Sequence, residues 1–213
     1  MRSKQQQLAD LFALAPVIPV VVIDDAALAV PMARALVAGG LPAIEITLRT
    51  PAALEAVRAI AQEVEGAVVG VGSVRTPRDF AEAEAAGARF AVSPGSTPGL
   101  IAAAHDTALP WLPGAATASE AMTLAEAGLV HLKFFPAEAI GGAAALKALA
   151  APLPSLRFCA TGGIEPRNAS AYLALRNVPC VGSSWCTPAD ALASRDWAEI
   201  ERRARVCAAL RRE

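Results

Sequence analysis

The feature that most constrains this chain is its rhythm. Short β-branched runs alternate with Ala-, Leu- and Glu-rich segments along almost the whole length. The runs predict strands at 17–23, 43–48, 67–71, 88–92, around 111–112, 130–134, 156–160 and around 180–181. Helical patterns fill 25–39, 51–64, 77–86, 97–106, 118–127, 142–150, 166–175 and 188–193, and a last helix is predicted over 196–211. Strands that alternate with helices across short turns form a parallel sheet with right-handed crossovers. Eight such units, about 20–25 residues apart, favour closure into a (β/α)8 TIM barrel over an open sheet. The opening MRSKQQQLADLFAL is polar and then amphipathic, which adds an N-terminal helix. Pro51, Pro77, Pro98 and Pro166 fall where first helical turns are expected, and Gly39-Gly40, Gly87 and Gly128 where helices end. No linker or charge block divides the 213 residues, so 1–213 reads as a single domain.

Composition excludes several classes. A net charge of −1 provides no basic field for nucleic acid. No apolar stretch approaches the roughly 18 residues of a membrane span, and the N-terminus lacks the apolar core of a signal peptide. A cytoplasmic protein is expected. The four cysteines, at 159, 180, 186 and 207, form neither a CxxC pair nor a Cys/His cluster of zinc type. They read as buried free thiols, and no metal site is expected.

Two strands carry residues that a barrel core does not need. Ile44-Glu45-Ile46-Thr47-Leu48-Arg49 alternates strictly, so Ile44, Ile46 and Leu48 should face the helices while Glu45, Thr47 and Arg49 face the interior. Barrel interiors are usually filled by Val, Ile and Leu, and an inward carboxylate is costly unless paired or used. Arg49 is predicted at the C-terminal end of its strand, where barrel active sites lie. The second segment is Val130-His131-Leu132-Lys133-Phe134-Phe135. Lysine is rare here, three against 16 arginines. Lys4 and Lys147 read as solvated, but Lys133 sits in an apolar strand. A lysine attacks carbonyls only as the neutral amine, and desolvation favours that form. From the residues alone, Lys133 is either such a nucleophile or the partner of Glu45 in a structural ion pair. His131 shares its face and reads as a hydrogen-bonded core histidine; His105 reads as a surface residue.

Two glycine-bearing turns are expected after the last two strands, the seventh ending in Cys159-Ala160-Thr161-Gly162-Gly163-Ile164 and the eighth in Val181-Gly182-Ser183-Ser184-Trp185, with a turn at Gly182–Ser184. Phosphate sites in TIM barrels are often built from these two loops, because glycine lets backbone amides approach an anion. A short helix after Ser184 would add its positive N-terminus. Gly70–Val74 and Ser93-Pro94-Gly95 supply further turns at the same rim.

The segments EITLRT (45–50), GVGSV (70–74), AVSPG (91–95), KFFPAE (133–138) and FCATGGI (158–164) resemble, in order and spacing, the family of 2-keto-3-deoxy-6-phosphogluconate (KDPG) and 4-hydroxy-2-oxoglutarate aldolases. The similarity runs from about residue 14 to 192. It implies a cofactor-free, metal-free homotrimer of the Entner–Doudoroff pathway. Such an enzyme cleaves a phosphorylated 2-keto acid into pyruvate and glyceraldehyde 3-phosphate through a Schiff base. Lys133 resembles the Schiff-base lysine and Glu45 the general acid/base. Arg49 resembles the clamp on the substrate carboxylate, aided by Ser73, Pro94 and Thr161. Gly162, Gly163, Gly182, Ser183 and Ser184 resemble the phosphate site. Ser73 stands where the family usually has Thr, and GSSW where GGSW is commoner, so Ser183 is expected to bring a side chain beside the phosphate. Three other readings use the same scaffold: a galactonate-type aldolase of the same superfamily, a phosphosugar epimerase or isomerase, and a silent barrel that only binds a phosphorylated ligand. With only two histidines, the epimerase reading lacks its metal ligands.

Overall fold

In the computed structural model, which describes residues 2–210, the expected alternation is realised as parallel strands wrapped by helices. The strands are β1 (Val17–Val21), β2 (Ala43–Thr47), β3 (Val68–Gly72), β4 (Ala91–Val92), β5 (Trp111–Leu112), β6 (Gly114–Ala115), β7 (His131–Phe134), β8 (Arg157–Thr161) and β9 (Cys180–Ser183). Their order is β5-β4-β3-β2-β1-β9-β8-β7-β6. The two ends of that order, β5 and β6, are neighbours in the chain separated by Pro113, so they are halves of one barrel position. Pro113 has no amide to donate, but its carbonyl accepts from Lys133 N at 2.8 Å, which carries the ladder across the gap. The barrel therefore has the eight positions read from the sequence.

The helices are α1 (Lys4–Leu14), α2 (Ala29–Ala38), α3 (Ala53–Glu63), α4 (Pro77–Ala85), α5 (Pro98–Asp106), α6 (Ala118–Glu126), α7 (Gly142–Ala150), α8 (Pro166–Leu173), α9 (Ala189–Ser194) and α10 (Trp197–Ala208). Pro77, Pro98 and Pro166 open their helices as expected; Pro51 lies in the turn before α3. Thr117 and Glu120 show why α6 begins where it does: each side chain accepts the other's backbone amide, at 3.2 and 2.9 Å. The last predicted helix ends at Ala208; its expected residue 211 lies outside the described residues.

Period-two alternation sorts the core into two layers. Outward residues such as Ile44, Ile46, Val71, Leu132, Phe158 and Val181 pack beneath the helices. Inward residues Ile18, Ala43, Phe90, Val92, Leu112, Cys159 and Cys180 fill the barrel and meet Leu8, Leu11 and Phe12 of α1. The N-terminal helix thus plugs the N-terminal mouth of the barrel. His131 belongs to this plug: its ring Nδ1 and backbone amide both contact Gln5 Oε1, at 3.0 and 3.1 Å, and Phe12 stacks edge-on at 5.5 Å. The mouth at the opposite end of the strands is left for polar groups.

Candidate active site

Glu45 and Lys133 both point into the barrel and are 3% and 4% exposed. Lys133 Nζ donates to Glu45 Oε1 at 3.2 Å. The room for this pair comes from strand β3. A Cβ on Gly72 would lie 2.0 Å from Glu45 Oε1, so the carboxylate occupies the volume a side chain would take. Gly70, two residues earlier on the same face, makes way in the same manner for the Phe90 ring. Lys133 Nζ also lies 5.3 Å from the centroid of Phe135. Of the other two lysines, Lys147 is exposed as expected. Lys4 is half-buried, its ammonium donating to Ala104 O at the end of α5 at 2.7 Å.

Phe135 forms part of the wall of a cavity of about 310 Å³. Arg49, Thr161, Gly162, Gly163, Gly182, Ser183 and Ser184 line the same cavity, so distant segments of the sequence meet in one place. Val20, Val22, Glu165 and Trp185 line it too, beyond the residues the sequence marks. The run 17–23 is apolar throughout, so no alternation singles out Val20 and Val22, and nothing local marks Trp185. Gly182 lacks a Cβ where one would lie 2.4 Å from Thr161 Oγ1, which lets that threonine face the barrel mouth. The chain after Lys133 is sewn to the Gly162 turn by Ala137 N to Thr161 O at 2.8 Å and Glu138 N to Gly162 O at 3.1 Å. The Tyr172 hydroxyl donates to the Glu138 carboxylate; burial, and then that partner, push the phenol well above its ordinary range.

Four expectations are corrected by this geometry. Arg49 is not on the inner face of a strand, because β2 stops at Thr47; it occupies the following turn, is exposed, and is steered by Nε donating to Ser73 Oγ at 3.1 Å. Ser73 does this from a left-handed conformation, φ 61°. Gly182 and Ser183 are not turn residues but the end of β9. The Ser183 hydroxyl is not free beside the cavity: it donates to Ile164 O at 2.6 Å and accepts from Trp185 N at 3.2 Å, joining the two turns. Finally, α9 begins only at Ala189, so the chain directly after Ser184 is a turn rather than a helix. Pro94 lies on the neighbouring rim, outside the cavity wall, where Gly114 has no Cβ to obstruct its carbonyl. Cys159, Cys180, Cys186 and Cys207 are all buried thiols. Among the described residues no three His, Cys, Asp or Glu side chains cluster as a metal site, and no helix is long and apolar enough to cross a membrane.

A (β/α)8 barrel with a lysine–carboxylate pair buried inside it and a glycine-walled cavity at its strand ends belongs to the class of barrel enzymes that work on carbonyl compounds. The model of the KDPG and KHG aldolase family matches residues 8–203, and the chain belongs to that family. The 2-dehydro-3-deoxy-phosphogluconate aldolase of Dickeya dadantii is 51% identical over 205 residues, 96% of each protein. The crystal structure of the Zymomonas mobilis KDPG aldolase with 3-phosphoglycerate superposes with a TM-score of 0.93 at 46% identity, covering 98% of each chain. The Legionella pneumophila KDPG aldolase, with pyruvate captured as a covalent carbinolamine, gives 0.91 at 43% identity over 93% of this chain and 97% of that one.

Proposed function

We propose that this chain, acting as one domain over 1–213, is a class I aldolase that cleaves 2-keto-3-deoxy-6-phosphogluconate to pyruvate and glyceraldehyde 3-phosphate and also acts on 4-hydroxy-2-oxoglutarate. The observation that carries the reading is the Lys133–Glu45 pair, buried at 3.2 Å, with Lys133 Nζ 5.3 Å from the ring of Phe135, which walls the cavity. Neutral Lys133 attacks the C2 ketone, and the carbinolamine loses water to give an iminium. Glu45 accepts the proton of the C4 hydroxyl, directly or through a water. The C3–C4 electrons flow into the iminium, giving an enamine, and the aldehyde departs. Glu45 returns its proton to C3, and water releases pyruvate and the free amine. Arg49, braced by Ser73, clamps the planar carboxylate bidentately, as lysine would not, with Pro94 and Thr161 bounding the pyruvate end. Amides of Gly162, Gly163 and the 182–184 segment hold the phosphate. The resemblance further supports a homotrimer that works in the cytoplasm without metal or cofactor.

The test is borohydride reduction of the protein with pyruvate, followed by peptide mass mapping. A pyruvyl adduct on Lys133, and none on Lys4 or Lys147, is expected. A folded protein without an adduct would end the covalent scheme and leave the silent barrel.

A further inference from the structure

Trp185 closes one wall of the cavity, and it is held there by a helix that contributes nothing else to the site. The Arg203 guanidinium of α10 lies over the Trp185 ring at 4.6 Å, and its Nη1 donates to the Trp185 carbonyl at 3.1 Å. Glu199, one turn back on α10, braces the Arg203 Nε at 2.7 Å. One turn further on, Cys207 accepts from the Cys186 thiol at 3.2 Å, both residues being buried. The helix that carries these groups is itself seated tightly: a Cβ on Gly39, at the end of α2, would fall 2.3 Å from Ala204 Cβ. Arg203 does not line the cavity. Stacking and donating at once is a task for a planar fork, and a partly buried guanidinium gains more from an aromatic face than an exposed one.

We propose that Arg203 is a positioning residue for the phosphate end: by fixing Trp185 it sets the cavity wall, and thereby the preference for phosphorylated over unphosphorylated 2-keto acids. The inference rests on the cavity being the phosphate site of the aldolase proposed above. Steady-state cleavage of the phosphorylated substrate and of its unphosphorylated counterpart tests it in wild type, Arg203→Met and Arg203→Lys. Arg203→Met is expected to raise KM for the phosphorylated substrate about tenfold, equivalent to about 1.4 kcal/mol. KM for the unphosphorylated substrate should stay within about twofold, kcat should hold for both, and inorganic phosphate should inhibit about tenfold less tightly. Arg203→Lys keeps the charge without the fork and should resemble Arg203→Met. Equal shifts for both substrates, no shift, or a wild-type-like Arg203→Lys overturns the proposal. If Arg203→Met is insoluble, Glu199→Gln, which loosens the brace, should show a smaller shift confined to the phosphorylated substrate; an unselective change there overturns it as well. Absence of a pyruvate adduct in wild type would instead overturn the aldolase reading itself.

Discussion

Burying a lysine and a glutamate together is a poor way to hold a barrel closed. Lys133 and Glu45 leave only 5% and 4% of their side chains exposed, so most of their attraction offsets lost hydration. Replacing such a pair by apolar residues of similar volume is often neutral or stabilising, whereas removing one partner costs about 3–5 kcal/mol. The double variant Glu45→Met/Lys133→Met is therefore expected to denature no earlier in urea than wild type while losing all turnover, and Lys133→Ala to be inactive and less stable. A double variant as unstable as Lys133→Ala would mean the pair serves the fold. Gly72 gives a finer test. Its missing Cβ lies 2.0 Å from where Glu45 Oε1 sits, so Gly72→Ala must displace the carboxylate but leaves Lys133 in place. Losing a general acid/base lowers kcat by about 10²–10⁴. We expect a fall of about 10² or more with pyruvate labelling of Lys133 retained; unchanged kcat would exclude Glu45 from proton transfer.

At the scale of elements, α1 and α10 do opposite work on the same barrel. Helix α1 seals the N-terminal mouth through Leu8, Leu11 and Phe12, and His131 joins it through Gln5. Burial, and then the charge of Arg157, hold the His131 imidazole below its ordinary value. The unfolded chain therefore binds this proton at higher pH than the folded one. The penalty is absent above about 6.5, where both forms are neutral, and grows as pH falls below it. Urea midpoints should drop between pH 7.5 and 5.5, and His131→Asn should flatten that drop; an equal slope in the variant would assign it to other groups. Helix α10 depends on Gly39, whose conformation any residue could adopt but whose Cβ would overlap Ala204. Gly39→Ala is expected to destabilise by about 1–3 kcal/mol, the cost of overpacking, read from the urea midpoint. Strand ends were less legible than helices. The pattern of β2 continues smoothly past Thr47, yet pairing stops there, so Arg49 leaves the face that alternation assigned it.

For the whole molecule, the proposed site occupies one mouth of the barrel and the plug the other, so the proposed catalysis and the closure draw on different residues of the same strands. Light scattering should give the mass of three chains of 21.8 kDa if the trimer implied by resemblance forms; a monomer would restrict that inference to the relatives. Taken alone, the sequence determined the class of fold, because apolar periodicity switching between two and 3.6 residues is local and eight repetitions leave few ways to close a sheet. It also exposed Glu45 and Lys133, since a charge in an apolar strand stands out without knowledge of its neighbours. Only the tertiary structure decided that these two, 88 positions apart, meet at 3.2 Å, and that the space between strands is opened by Gly72 rather than by the pair itself. It likewise decided that Ser183 turns its hydroxyl to Ile164 and that Trp185 is anchored by Arg203. These are packing relations between residues far apart in the chain. Their physical cause is which side chain fills a given volume, and one-dimensional periodicity does not record that.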